Sequence, residues 1–299
     1  MTHGSISDKL FEKVNIIILS VVLILVLYPL LFVLSASISN PKLVASGEMW
    51  LWPKDITFEG YKRVFNSRQI WNGYANTILY TLAGTAVNLL VTLPAAYALS
   101  RKDFVFRNFF TGMFMVTMFF GGGLVPTYLL VKELGMINTM WALIIPSAAS
   151  IWNIVVTRTF FQSAIPTELQ EAAQMDGCTN LRLFIRIVLP LSLPIIAVMA
   201  LFYGVGHWNS YFSALIYLND SGKYPLQLVL RQILVLQEMS AQGGTMVDAA
   251  TATAANTKAE IAALVKYAVI IVSTLPVIAV YPFLQRYFVQ GVLIGSLKG

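Results

Sequence analysis

Tyr203, His207, Ser210 and Tyr211 recur at intervals that set all four on one face of a helix, with Ala214 continuing the stripe. Aromatic rings that stack on C–H faces, beside edges that hydrogen-bond hydroxyls, are the chemistry that grips a sugar. A helix–helix seam is the competing explanation, since it also favours Ser, Ala and buried aromatics. His207 and His3 are the two histidines, and His207 has no evident carboxylate partner within an apolar run. An intramembrane hydrolase therefore lacks its catalytic set. Cys178 is the single cysteine, so no intramolecular disulfide forms and no Cys/His cluster offers a metal site. Neither a metal nor an organic cofactor is expected. The chain has no G-x-x-x-x-G-K-[ST] phosphate loop, so it is not expected to hydrolyse ATP. None of its fourteen Asp and Glu residues sits centrally in a long apolar run, which disfavours the alternative of an ion-coupled secondary carrier. A smaller stripe, Ser150, Asn153 and Thr157, is better explained by helix packing.

The second constellation is the polar segment Glu171–Pro190, EAAQMDGCTNLRLFIRIVLP, within a loop of about 164–190. Pro166 suits a helix's first turn, where its missing N–H costs nothing. Thr167–Met175 follows with good helix formers, and Glu168 lies near the positive helix start. Leu169, Ala172, Ala173 and Asp176 share one face by their spacing, and two alanines there admit a second backbone closely. Gly177 is suited to a left-handed C-terminal cap. Thr179 or Asn180 then caps a second short helix bearing Arg182 and Arg186, and Pro190 begins the next apolar run. On the residues alone, a docking element and a plain helical connector are about equally open.

These segments are positioned by a chain of 299 residues that is 57% hydrophobic and 11% charged, with a mean hydropathy of +0.72. Soluble domains carry about a quarter charged residues, so the composition points to a bilayer as solvent. Six runs approach the ~20 residues that span hydrocarbon: about 15–37, 71–99, 109–130, 140–161, 191–218 and 261–284. The fold class is therefore an all-α bundle of six transmembrane helices in a single domain, 1–299. The first run is too long for a signal-peptide core and its leader mixes acidic and basic residues, so it is read as a retained helix. Gly121–Gly123 and Pro126 should interrupt the third run. An external amphipathic helix is expected where Leu226, Val229, Leu230, Ile233 and Leu236 recur, within a region of about 222–260 that ends in the Ala/Thr/Gly-rich stretch 240–256. The net charge of +6 is not a nucleic-acid signal, because no basic block occurs. Counting Lys and Arg on alternate sides gives equal numbers and does not orient the chain.

Glu171-Ala172-Ala173, then Gly177, then Ile187-Val188-Leu189-Pro190, resembles the EAA loop of ABC importer permeases of the carbohydrate, maltose-type family. Val125–Leu130, Asn138–Ala142, Trp208–Tyr211 and Gln285–Gly291 extend the resemblance along the chain. His207–Tyr211 followed by Tyr224–Leu228 resembles the YtcP/LplC-like branch, which is linked to fragments of complex polysaccharides such as pectin. The resemblance implies a cell-membrane transport subunit rather than an enzyme, with both termini cytoplasmic. It implies coupling to an ATPase through Glu171, Ala172, Ala173, Asp176 and Gly177. The implied partners are a second homologous permease, two cytoplasmic ATPase subunits, an extracellular solute-binding protein and an oligosaccharide. Cys178 departs from the small residue common there.

Overall fold

A computed structural model describes residues 6–242, 265–280 and 282, and every regular element among them is helical. In chain order these are α1 (Ile6–Ser37), α2 (Pro41–Ala45), α3 (Glu59–Asn66), α4 (Arg68–Ser100), α5 (Arg107–Phe119) and α6 (Leu124–Glu133). There follow α7 (Trp141–Ile144), α8 (Ile151–Ala164), α9 (Thr167–Met175), α10 (Asn180–Leu183), α11 (Leu189–Leu191) and α12 (Leu193–Trp208). The series closes with α13 (Phe212–Tyr217), α14 (Leu226–Gln242) and α15 (Val265–Val280).

All six expected runs are represented, but among the described residues only α1 and α4 are long, unbroken and apolar enough to cross a membrane. Three others are bent pairs. α5 and α6 meet at 110°, with Gly121–Gly123 at the break as expected. α7, continued by a 3-10 turn through Pro146, meets α8 at 52°. The stretch Asn180–Leu191, which includes a π turn at Phe184–Val188, meets α12 at 81° across Ser192. Prolines 146, 190 and 194 sit in first turns, where the ring needs no N–H partner. α15 falls inside the sixth expected run, whose flanks lie outside the described residues. The expected amphipathic helix is α14, with Leu226, Leu228 and Val229 buried and Arg231 exposed. It runs on to Gln242, so the expected loop begins later than Ser240; its remainder lies outside the described residues.

Two compact units separate, drawn from Met1–Arg68 with Leu230–Leu275 and from Gln69–Val229 with Pro276–Gly299. In the first, the segment after α1 folds into a small cap. The Ser37 and Tyr61 hydroxyls meet at 2.8 Å, Asn40 donates to Asp55 at 2.8 Å, and the Thr57 N–H returns to the Ile38 carbonyl. Tyr28 packs near Trp50, and Phe32 meets Tyr267 edge-on. In the second, one apolar core joins α4, α8, α9 and α12: Ala96 and Tyr97, Ile154 and Phe161, Ala173, and Met199 and Tyr203. Both sequence-flagged segments belong to this unit.

Candidate functional site

The residues Glu171–Gly177 occupy the end of α9 and the turn that closes it. α9 starts after Pro166, whose extended backbone (φ −61, ψ 146) makes it the cap rather than the first helical residue. Burial divides the face expected to be shared. Leu169 and Ala173 pack into the core, whereas Ala172 and Asp176 are exposed with Glu171 and Gly177. The reason is the one-residue rotation of 100°, which separates Ala172 from Ala173. Met175 is 89% exposed. One alanine thus seats the helix on its own chain, and the other lies on the open face with Glu171 and Met175.

Gly177 has φ +71, the left-handed conformation expected of it. The Cys178 N–H reaches back to the Ala173 carbonyl at 2.9 Å and the Gly177 N–H to that of Gln174 at 3.0 Å, a Schellman cap that satisfies the helix's last carbonyls. Thr179, not Asn180, caps α10, its hydroxyl accepting from the Arg182 N–H. Nothing lies within 4 Å of a Cβ built on Gly177, so its requirement for glycine within this chain is conformational, not steric.

Across a hollow from α9 lies the turn that follows α4. Arg101 follows α4 directly and is 7% exposed. Its Nε donates to Asp103 Oδ1 at 2.7 Å, a second nitrogen donates to Oδ2, and Nη1 donates to the Tyr97 hydroxyl at 3.0 Å. This charge-assisted fork holds the Asp103 carboxyl below the usual carboxylate range; Asp103 and Tyr97 in turn push the guanidinium above its usual value. The Tyr97 ring stacks on Phe184 at 5.0 Å and meets Phe161 edge-on at 6.1 Å. The 97/101 spacing of four was the available signal.

The expected stripe Tyr203, His207, Ser210 and Tyr211 is not one helix face. α12 ends at Trp208, and Asn209 (φ −89, ψ 0) closes it, donating its side-chain amide to the Val205 carbonyl. A spacing argument assumes an unbroken helix, and the break removes Ser210 and Tyr211 from the α12 face. Tyr203 is buried, its hydroxyl 2.6 Å from that of Thr92 on α4. His207 lies against α4 at Gly84, where a Cβ would overlap its imidazole ring. Asn88 donates both amide hydrogens to the carbonyls of Ser147 and Ala148, at 2.6 and 2.9 Å, so its Oδ1 accepts from His207 Nε2 at 2.7 Å. Those carbonyls lie at the α7–α8 break; a fully buried amide supplies the partners that the interrupted helix lacks. Ser210 is half-buried and Tyr211 exposed. Ala214 is fully buried with Leu218 and Leu228. Beside the seam, Ile78, Leu82, Leu201, Val205 and Trp208 line a largely apolar hollow of about 360 Å³, which suits hydrocarbon better than sugar.

At the other end of α4, Asn76 donates to the carbonyls of Gly222 and Tyr224, Tyr80 donates to that of Lys223 at 2.9 Å, and Thr77 accepts from the first N–H of α14 at 2.8 Å. Among the described residues no three His, Cys, Asp or Glu side chains gather as a metal site.

A bent-helix bundle around a Schellman-capped polar loop matches a known kind of chain. Residues 1–294 match the family model described as "Binding-protein-dependent transport system inner membrane component". The chain belongs to this family. It is 40% identical to Protein LplC of Bacillus subtilis over 99% of this chain and 98% of the relative. It is 38% identical to the polygalacturonan/rhamnogalacturonan transport system permease protein YtcP of the same organism, over 98% and 99% of the two chains. Among solved structures it is similar to a chain of a bacterial ABC transporter involved in the import of the acidic polysaccharide alginate. That match has 34% identity and a TM-score of 0.83, covering 96% of this chain and all of the other. The chain is a membrane-embedded permease subunit of an ABC importer, a transport component and not an enzyme. Ion-coupled secondary transport is displaced, and an importer of this family works with a partner permease, an ATPase and a solute-binding protein.

Proposed function

We propose that this permease carries fragments of an acidic polysaccharide, and that α9 with the Gly177 turn is its coupling element. The observation that carries the coupling reading is the divided face of α9: Ala173 seats the helix on its own core while Glu171, Ala172, Met175 and Asp176 stay open. A rigid, capped helix with a small residue and an exposed methionine on its free side is built to enter a groove of another protein. ATP-driven closure of two ATPase subunits would press on this helix and rock the bundle between inward- and outward-facing states. In this reading both termini and the 164–190 loop are cytoplasmic, the 219–226 turn faces outward, and a second, homologous permease completes one pathway. The acidic-sugar reading draws on the similarity to the polygalacturonan/rhamnogalacturonan permease and the alginate importer.

The pathway reading narrows with the geometry. Tyr203 and His207 hold α12 against α4; we therefore assign solute contact to Ser210 and Tyr211, a reading supported by their position at the break after Trp208. Purification of the tagged chain from native membranes tests the coupling, and uptake of labelled trigalacturonate against labelled galactotriose tests the cargo. Co-purification of an ATPase and a second permease, with ATP-dependent uptake of the acidic trimer alone, is the expected result. Equal uptake of both trimers would sink the acidic assignment, and absence of any ATPase would sink the coupling role.

A further inference from the structure

The loop that bears Gly177 does not rest evenly on the rest of the chain. Between α9 and the turn after α4 lies a hollow of about 480 Å³, lined by Arg101, Lys102, Arg107, Gln162, Glu171 and Gln174 among others. On the other side, between the same turn and α10, lies a second hollow of about 400 Å³, reached by Pro94, Tyr97, Phe104, Asn180 and Leu181. Arg101 and Asp103 border both. Close-packed groups transmit displacement through atoms in contact. What bridges the hollows is the ring system of Tyr97, stacked on Phe184 of the loop and edge-on to Phe161 of α8. Arg101 locks that ring from above, its guanidinium carbon 5.8 Å from the ring centre and Nη1 on the phenol oxygen. Arg158 of α8 adds a bond from its Nε to the Leu99 carbonyl at 3.1 Å.

We infer that the Arg101–Asp103–Tyr97 cluster is the fulcrum through which movement of the α9–α10 loop reaches α4. The inference rests on the coupling reading proposed above. Arg101 is a positioning residue: it holds Asp103 and the Tyr97 hydroxyl and acts by fixing Tyr97 against Phe184. α4 is continuous over 33 residues, with Pro94 its interior proline, three residues before Tyr97. Its far end grips the 222–226 turn through Asn76, Thr77 and Tyr80. A displacement that tilts the Tyr97 end therefore shifts the turn at the opposite end, whereas the bent pairs flex at their breaks. The Arg–Asp fork matters because a loose Tyr97 would yield into the hollow it borders instead of moving α4.

The test separates docking from transmission. In a Cys178→Ser background, Ser210→Cys is labelled with a soluble maleimide in the assembled importer, before and after trapping with ATP and vanadate. Trapping should change the labelling rate by about five-fold or more, the lower range of ordinary coupling free energies. Arg101→Ala and the milder Tyr97→Phe should retain the ATPase and its trapped nucleotide yet cut that change to less than about two-fold. The exchanged pair Arg101→Asp with Asp103→Arg should recover part of it, which a merely stabilising role does not require. An undiminished change in Arg101→Ala, with the ATPase bound, overturns the fulcrum and leaves the coupling reading intact. Loss of the ATPase from Arg101→Ala and Tyr97→Phe makes the cluster a docking or folding element and also overturns it. Failure of the parent chain to hold any ATPase removes the coupling reading and the fulcrum together.

Discussion

Replacing Gly177 by Asn, Ala or Val separates a backbone requirement from a side-chain contact. The backbone at Gly177 has φ +71, and a Cβ there meets nothing within 4 Å. Sterics inside this chain are therefore neutral, and the cost is the left-handed conformation itself, roughly 1–2 kcal/mol for an ordinary L residue. Asn tolerates this region and should cost least; a β-branched residue should cost most. The chain's alternative is to unwind the cap and forfeit the bonds from Gly177 to Gln174 and from Cys178 to Ala173. Two such bonds are worth about 0.5–1.5 kcal/mol each, so neither route is cheaper. A penalty of one to two kcal/mol on the docking-competent loop weakens ATPase binding by a factor of roughly 5–30. The assay is titration of the purified ATPase onto the chain in lipid nanodiscs, with membrane yield as the folding control. The expected order of affinity is Gly, Asn, Ala, Val. Two results refute the reasoning. Wild-type affinity in Val would mean the turn does not shape the docking face. An Asn variant as weak as Val would mean that the partner senses bulk at position 177 rather than the chain sensing φ.

Three further outcomes follow from single contacts. Met175→Ala should leave membrane yield unchanged, since the side chain is 89% exposed; burial of a methionine on docking is worth about 1.5–3 kcal/mol, so ATPase affinity should fall about ten-fold or more in the same titration. Gly84→Ala should lower the unfolding midpoint in detergent, because its Cβ overlaps the His207 ring and overpacking costs about 1–3 kcal/mol before the Asn88 bond is counted; Gly112→Ala, with nothing near its Cβ, should not lower it. The Asp103 carboxyl is held below its ordinary value of 3.8 by Arg101, so the clamp's contribution is present above that value and lost only as pH falls through the lower folded value. Maleimide labelling with and without vanadate trapping should thus give the same ratio at neutral and mildly acidic pH, and a drop in mildly acidic buffer would refute the assignment of Asp103 as the clamp's anion.

The sequence made legible what is local. Gly177 announced a left-handed cap because few other residues adopt that backbone, and the flanking helix formers fixed where α9 runs. The apolar runs announced the spans, and Gly121–Gly123 announced one of the breaks. What the sequence concealed depends on how the spans meet. Arg101, in the turn after α4, is buried because Tyr97 and Asp103 meet three of its donor positions. Asn88 lies within the second apolar run, where nothing local marks it out. Its role follows from a break 59 residues away that leaves the Ser147 and Ala148 carbonyls without helical partners.

Periodicity failed where its own assumption failed. The stripe from Tyr203 to Tyr211 requires an uninterrupted helix, and α12 stops at Trp208. The same stop divides the four residues by what they can do. Tyr203 and His207, upstream of it, have their polar atoms committed to α4 by Thr92 and Asn88. Breaking those bonds to grip a sugar would leave buried donors and acceptors on both helices unpaired, at about 1–3 kcal/mol for each group. Solute recognition cannot cheaply draw on them, whereas Tyr211 is at the surface, beyond the end of α12. Polar side chains within an apolar run are thus sorted by where helices break: Asn88, opposite the α7–α8 break, is spent on its carbonyls, and His207 is held to Asn88 in turn.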